Sequence, residues 1–226
     1  EYVLYNLSAL KAVVQKIIVI VSGNISDCGR DRLEKLGVDV IVRENRGLDF
    51  GAWKAAVKHI GFENLAAFSE LILTNCSCYG PLYHFNTLFQ KMDKKTNIDF
   101  WGITLFPTTK NALPPWPAPI LQKHVQSYFL VLRSPILESN AFQQWWENLT
   151  EYDTYYEEVF YHEIAFTQYL ALQGYQYDVV ISVPTDKIMT FEGMLQSLQQ
   201  KSPFIKRKAL TETNCWLRAL LYRYLR

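Results

Sequence analysis

With 226 residues, 49% of them hydrophobic and 20% charged, the chain can bury a full core as one domain, or as one domain with an appendage. A net charge of +1 gives no global field for nucleic acid, and no uninterrupted apolar run is long enough to span a bilayer. No signal-peptide pattern opens the chain, and Cys28, Cys76, Cys78 and Cys215 read as free thiols of a cytoplasmic protein. Cys76 and Cys78 stand two apart with no second pair at zinc spacing, which argues against a structural zinc site.

Val3, Leu7, Leu10 and Val14 share one helical face, so the chain is expected to begin with a helix over 2–14. Lys16 to Val21 is β-branched and almost wholly apolar, the pattern of a central parallel strand covered on both faces. A turn at Ser22-Gly23-Asn24 follows. Arg30 to Leu36 reads as a short helix stopped by Gly37, and Val38 to Val42 as the next strand.

The stretch Asn45-Arg46-Gly47-Leu48-Asp49-Phe50-Gly51-Ala52 then joins that strand to a helix ending near Ile60, before Gly61. Strand, glycine-punctuated turn and helix in this order form an anion site: glycines let backbone approach a ligand, and the first helical amides present free N–H groups. The same turn also arises wherever a strand must reverse into a helix, and spacing alone leaves both open.

A strand over Glu70–Asn75 follows, and the alternation of strands and helices predicts right-handed crossovers and a doubly wound, mostly parallel α/β sheet. Asn75-Cys76-Ser77-Cys78-Tyr79-Gly80-Pro81 is a polar turn at a strand's carboxyl end, the edge where open α/β sheets gather ligands. Phe85, Leu88, Phe89 and Met92 make a helical stripe, and Asp99–Thr104 another strand. Five of the nine prolines lie between Pro107 and Pro119, which predicts an irregular loop, either a lid or acceptor wall or a surface excursion.

Val125–Leu132 reads as a strand with Gln126, Ser127 and Tyr128 near its start. Ser134-Pro135 opens a helix carrying Phe142, Trp145, Trp146 and Leu149, and a further helix runs from about Glu157 to Gln173. Glu163 sits inside that helix's apolar stripe. Desolvation there raises a carboxylate's pKa and suits it to proton transfer, whereas a rim position would let it reach water or an arginine. Tyr175–Val183 is the last expected strand. From Phe204 the chain is a basic amphipathic segment, fit either for an anionic membrane surface or for packing on the domain.

In order, Arg43 to Ala52, Leu73 to Pro81, Asp99 to Thr104 and Gln126-Ser127-Tyr128-Phe129 resemble blocks of the rhamnan synthesis protein F family, rhamnosyltransferases of bacterial cell-wall polysaccharide assembly. More distantly the chain is similar to inverting glycosyltransferases of the A-type fold. The resemblance implies a nucleotide-diphospho-sugar transferase-like domain over 1–200 that lacks its first strand, and a basic tail over 201–226. It places Asn45, Gly47, Asp49, Gly51, Asn75 and Ser77 in the donor pocket and Glu163 as catalytic base, and Trp101, His124, Gln126 and Tyr128 are candidates for the acceptor.

It further implies a dTDP-β-L-rhamnose donor, an α-linked product, and a lipid-linked saccharide acceptor at the inner membrane face, which the tail would contact peripherally. A Mg²⁺ or Mn²⁺ ion is expected beside the diphosphate. Cys76, however, stands where the family carries an acid, so either metal use is lost or Asp49 or another acid supplies the ligand. A non-catalytic sugar-nucleotide or glycan-binding subunit is the alternative. A dinucleotide oxidoreductase is disfavoured, because the turn lacks three-glycine spacing.

Overall fold

The computed structural model describes residues 1–181 and 193–211. In chain order these form α1 (Tyr2–Lys11), β1 (Ile18–Ser22), α2 (Asp27–Glu34), β2 (Asp39–Arg43), α3 (Leu48–Ile60), α4 (Phe62–Ala66), β3 (Glu70–Thr74), β4 (Cys78–Tyr79) and α5 (Phe85–Asp93). Then come β5 (Phe100–Phe106), β6 (Thr109–Lys110), β7 (Ile120–Leu121), β8 (His124–Val125), β9 (Phe129–Arg133), α6 (Ser134–Leu137) and α7 (Asn140–Asn148). The late helix is α8 (Tyr155–Glu158), a π-helical stretch (Val159–Ile164) and α9 (Ala165–Leu172) in continuous succession. After it come β10 (Tyr177–Ile181), α10 (Met194–Gln199), β11 (Ile205–Lys206) and α11 (Arg207–Thr211).

The architecture is α/β, as the alternation of elements requires. β1 and β2 pair in parallel, and the main sheet runs β10-β5-β9-β3 with β8 also paired to β5. β3, β5 and β10 point the same way, and β9 is antiparallel to both neighbours. The carboxyl ends of β3 and β5 and the turn entering β9 therefore lie on one rim.

β5 and β9 explain why their sequences read as unbroken apolar runs. Phe100, Leu130 and Leu132 face a core made with Phe50, Trp53, Val57, Trp146 and Phe166. Trp101, Ile103, Phe129 and Val131 face a second core with Leu10, Phe85, Met92 and Phe204. Alternate residues serve opposite faces, and both faces are covered by helices. Arg133 ties the end of β9 to α5: its guanidinium donates to the carbonyls of Met92 in the last turn of α5 and of Lys95 and Ile98 after it, and to Glu70.

Gly102 allows β5 to be approached closely by the chain beside it. A Cβ there would lie 2.3 Å from Val125 Cγ1 and 3.0 Å from the Phe129 carbonyl oxygen. The valine is stiff at χ1 and the carbonyl is backbone, so neither yields easily. Gly102→Ala is expected to cost about 1–3 kcal/mol or more, measured as a lower urea midpoint; an unchanged midpoint would contradict this packing.

Several boundaries differ from the sequence reading for local reasons. α2 starts at Asp27 rather than Arg30 because the Ser26 hydroxyl accepts from Gly29 N. The helix expected from Ser134 breaks, and Ser139 caps α7 by accepting from Phe142 N. The strand expected over 125–132 is interrupted at 126–128, and the proline loop is closed by the β6–β7 ladder. The strand expected over Tyr175–Val183 is seen as β10, its last two residues lying outside the described residues.

The basic segment divides. Phe204 is buried in the second core, β11 pairs with β4, and α11 follows, so residues 202–206 are built into the domain instead of forming a separate tail. Residues 212–226, including Cys215, lie outside the described part. No helix among the described residues is long and apolar enough to cross a membrane.

Candidate functional site

At the rim, β3 ends in Thr74, whose hydroxyl donates to the Tyr128 carbonyl at 2.9 Å and so ties it to the turn entering β9. The next residue, Asn75, donates from its amide nitrogen to Asp49 Oδ2 at 2.7 Å. Its carbonyl oxygen accepts from the backbone N–H and the hydroxyl of Ser77. Lys206 Nζ donates to Ser77 Oγ at 2.9 Å and lies 5.3 Å from the centre of the Tyr128 ring. Asp49 and Ser77 thus form one chain with a lysine from the far end of the sequence.

Asp49 keeps an exposed surface, but the protein packed around its carboxyl still desolvates it. That desolvation pushes its carboxyl up to about 6; the Asn75 hydrogen bond opposes the rise, Glu158 adds to it, and the charges of Lys206 and Glu163 lower and raise it respectively. A pKa raised on folding means that Asp49's contribution to stability is fully present below the unfolded value and lost as pH rises through about 6. Asp49→Asn keeps an acceptor for Asn75. It is expected to raise Tm at about pH 8 and to leave it unchanged near pH 4. A shift equal at both pH values would contradict the assignment.

Glu163 lies in the π-helical stretch, where the extra residue per turn changes the facing that 3.6-residue periodicity assigns. Its carboxylate accepts from Ser127 Oγ at 2.6 Å, and its other oxygen is 3.3 Å from His124 Nε2. Burial pushes the Glu163 pKa up, but the hydrogen bond and charge of His124, the Ser127 hydroxyl and Lys206 outweigh it, and the net direction is down. The expectation of a raised pKa is therefore corrected: Glu163 is partly buried but well solvated by protein donors, and it is held as a carboxylate.

His124 is 1% exposed and stacks on Phe106. Its Nδ1 is 2.8 Å from the Gln122 carbonyl. A carbonyl only accepts, so Nδ1 carries a proton, and Nε2 faces the Glu163 carboxylate, which it stabilises when it is protonated as well. That nitrogen is buried without a hydrogen bond of good geometry.

The glycine turn is less open than its sequence suggests. Gly47 N donates to Asp153 Oδ1 and Phe50 N to Glu158 Oε1, each at 2.9 Å. A Cβ on Gly47 would lie 2.8 Å from Glu151, and one on Gly51 would lie 2.7 Å from the Arg46 carbonyl. Arg43 locks the bend by donating to that carbonyl and pairing with Glu151. Gly47 and Gly51 therefore serve packing, and carboxylates of the protein occupy two of the amides expected to meet a phosphate. Asn45 is exposed, and Asp49 is what the turn contributes to the rim.

The four acceptor candidates are also relocated. Trp101 is fully buried in the second core against Phe89 and Phe129. Tyr128 is 5% exposed, its hydroxyl 2.8 Å from Thr104 Oγ1, and burial pushes its pKa well up. Gln126 is buried and accepts from the same threonine, and His124 is turned to Glu163. These three build the floor beneath the rim, so none is a free surface for a sugar.

Aromatic surface near Glu163 comes instead from the proline loop and α8. Trp116 meets Tyr156 edge-on at 4.9 Å and Tyr155 at 6.2 Å. Tyr155 is 60% exposed, feels the Glu163 charge, and has Lys208 Nζ 5.8 Å from its ring centre. The density of prolines signals the loop, but nothing local in the sequence indicates which aromatics it meets.

The chain matches the family model described as rhamnan synthesis protein F over residues 17–226. No protein of curated function matches it. Among solved structures it is similar to CMP:2-keto-3-deoxy-manno-octonic acid synthetase complexed with CTP, at 14% identity and a TM-score of 0.46, covering 98% of this chain and 87% of that one. It is also similar to A197 from STIV, at 10% identity and a TM-score of 0.37, covering 73% and 80%. That match takes in the whole rim, from Asp49 to Lys206, and the chain belongs to the rhamnan synthesis protein F family.

Proposed function

We propose that the protein is an inverting glycosyltransferase that moves L-rhamnose from dTDP-β-L-rhamnose to a saccharide acceptor, lipid-linked in the cell, during polysaccharide assembly. Family membership supports the pathway. The single observation that carries the chemistry is Glu163, kept as a carboxylate by Ser127 and His124 and electrostatically coupled to Asp49 across the rim.

In this mechanism the acceptor oxygen attacks the anomeric carbon, forming the new glycosidic bond as the bond from that carbon to the phosphate oxygen breaks. The electron pair leaves with dTDP, and the acceptor's proton passes to Glu163. A base of lowered pKa takes the proton late, once carbon–oxygen bond formation has made the hydroxyl acidic. The Trp116, Tyr155 and Tyr156 surface supplies apolar faces for the acceptor sugar. Lys208 of α11, exposed beside Tyr155, offers a charge for an anionic lipid carrier or membrane surface.

Incubation with dTDP-β-L-rhamnose and lipid-linked saccharide, followed by proton NMR of the product, tests this reading. An α-linked rhamnoside is expected; a β-linked product, or a donor that is bound but never consumed, would overturn it. The second outcome is that of a binding subunit without chemistry, the reading that Cys76 in place of an acid favours.

A further inference from the structure

A divalent ion at this rim needs several hard oxygen ligands, and the residues present do not provide them. Cys76 offers a thiol. The Asn75 carbonyl oxygen is taken by both donors of Ser77, and Ser77 Oγ is engaged by Asn75 and Lys206. Asp49 is the carboxylate in that chain, and one of its oxygens is bound to Asn75. Among the described residues no group of three His, Cys, Asp or Glu side chains gathers to hold a metal. Asp49 as a metal ligand is thus poorly supported by its surroundings.

A fixed positive charge occupies the same place. Lys206 is partly buried, and its backbone is pinned by the β11–β4 ladder, which sets it opposite Cys78. Phe204, two residues earlier, is 4% exposed in the second core. On the other side, Arg207 N donates to the Ser77 carbonyl at 2.9 Å, and its guanidinium bonds Tyr2 Oη and lies over the Tyr2 ring. Among the described residues Ser77 Oγ is the one hydrogen-bond acceptor for the Lys206 ammonium, so two of its three N–H donors remain for a ligand. No carboxylate forms an ion pair with it there.

We infer that Lys206 takes the place of a divalent cation: its ammonium, held on Ser77, grips the diphosphate of the sugar nucleotide, so that donor binding does not require a metal. This rests on the sugar-nucleotide reading above. An ammonium point charge with free donors binds phosphate oxygens directly, and its position at the strand end puts it where the departing diphosphate gathers negative charge. It also accounts for Cys76: with a lysine in the site, a second carboxylate would pair with Lys206 and compete with the ligand.

The test is calorimetric titration of the full chain with dTDP and with dTMP, in EDTA and in Mn²⁺, for wild type, Lys206→Met and Lys206→Arg. Wild type is expected to bind dTDP within roughly threefold of the same affinity in EDTA and Mn²⁺. Lys206→Met is expected to weaken dTDP by roughly tenfold or more while changing dTMP by less than about threefold, and Lys206→Arg to recover part of the loss. Melting curves for each variant separate lost binding from lost fold, and Lys206→Arg keeps the test valid should Lys206→Met unfold. Binding of dTDP that needs Mn²⁺, or a Lys206→Met variant that loses dTDP and dTMP equally or neither, overturns the inference and leaves the transferase reading standing. Wild type that binds dTDP in neither condition overturns that reading itself.

Discussion

Replacing Glu163 by glutamine is expected to lower rhamnosyl transfer by roughly 100- to 10,000-fold while dTDP affinity stays within about threefold of wild type. The substitution is close to isosteric. A glutamine carbonyl still accepts from Ser127 Oγ, and its amide donates to His124 Nε2 once the ring, no longer facing a carboxylate, is neutral. The fold and the donor site should therefore survive, and what is removed is the proton acceptor. Initial rates under saturating donor, with dTDP titration alongside, check both halves. Wild-type turnover in this variant would remove Glu163 from the mechanism.

The largest expected effect on stability belongs to Glu158→Ala, at about 3–5 kcal/mol. Glu158 is 7% exposed and His162 2%. One carboxylate oxygen accepts from Phe50 N at 2.9 Å, the other is 2.9 Å from His162 Nδ1, and His162 Nε2 is 2.7 Å from the Thr150 carbonyl. Truncation leaves a helix N-terminal amide and a ring nitrogen buried without acceptors, beneath the Phe50 and Tyr152 rings that flank the imidazole. Glu158→Gln should cost far less. Its carbonyl serves Phe50 N, and its amide donates to an unprotonated Nδ1 while Nε2–H keeps Thr150. Urea denaturation of both variants gives the comparison; equal losses, or a loss under about 1 kcal/mol for alanine, would contradict the network.

These two residues also mark the limit of what was legible in the sequence. The alternation of strands and helices, and the apolar runs of β5 and β9, follow from local pattern because both faces of those strands are buried. The polar turn at 75–77 and the acid at 163 were legible as candidates, and both lie at the rim. The glycine turn was only half legible. A helix N-terminus attracts any anion equally, and no local signal indicates that Asp153 and Glu158, over a hundred residues away, take the amides a phosphate could have used. Lys206 was hidden for a similar reason. It sits in a basic run that reads as an amphipathic tail, and the two-residue pairing of β11 with β4 that brings it to Ser77 carries no periodicity. Trp101 illustrates the opposite failure: an aromatic near a strand end looks available until the helix α5 and Phe129 cover it.

The central claim is that a sugar diphosphate lies against Lys206 and Ser77 with its sugar turned toward Glu163. A crystal structure of the protein soaked with dTDP-β-L-rhamnose tests it most directly. Diphosphate oxygens are expected within hydrogen-bond distance of Lys206 Nζ, with the anomeric carbon facing Glu163. A nucleotide bound elsewhere, or one at this rim with its sugar directed away from Glu163, would contradict it.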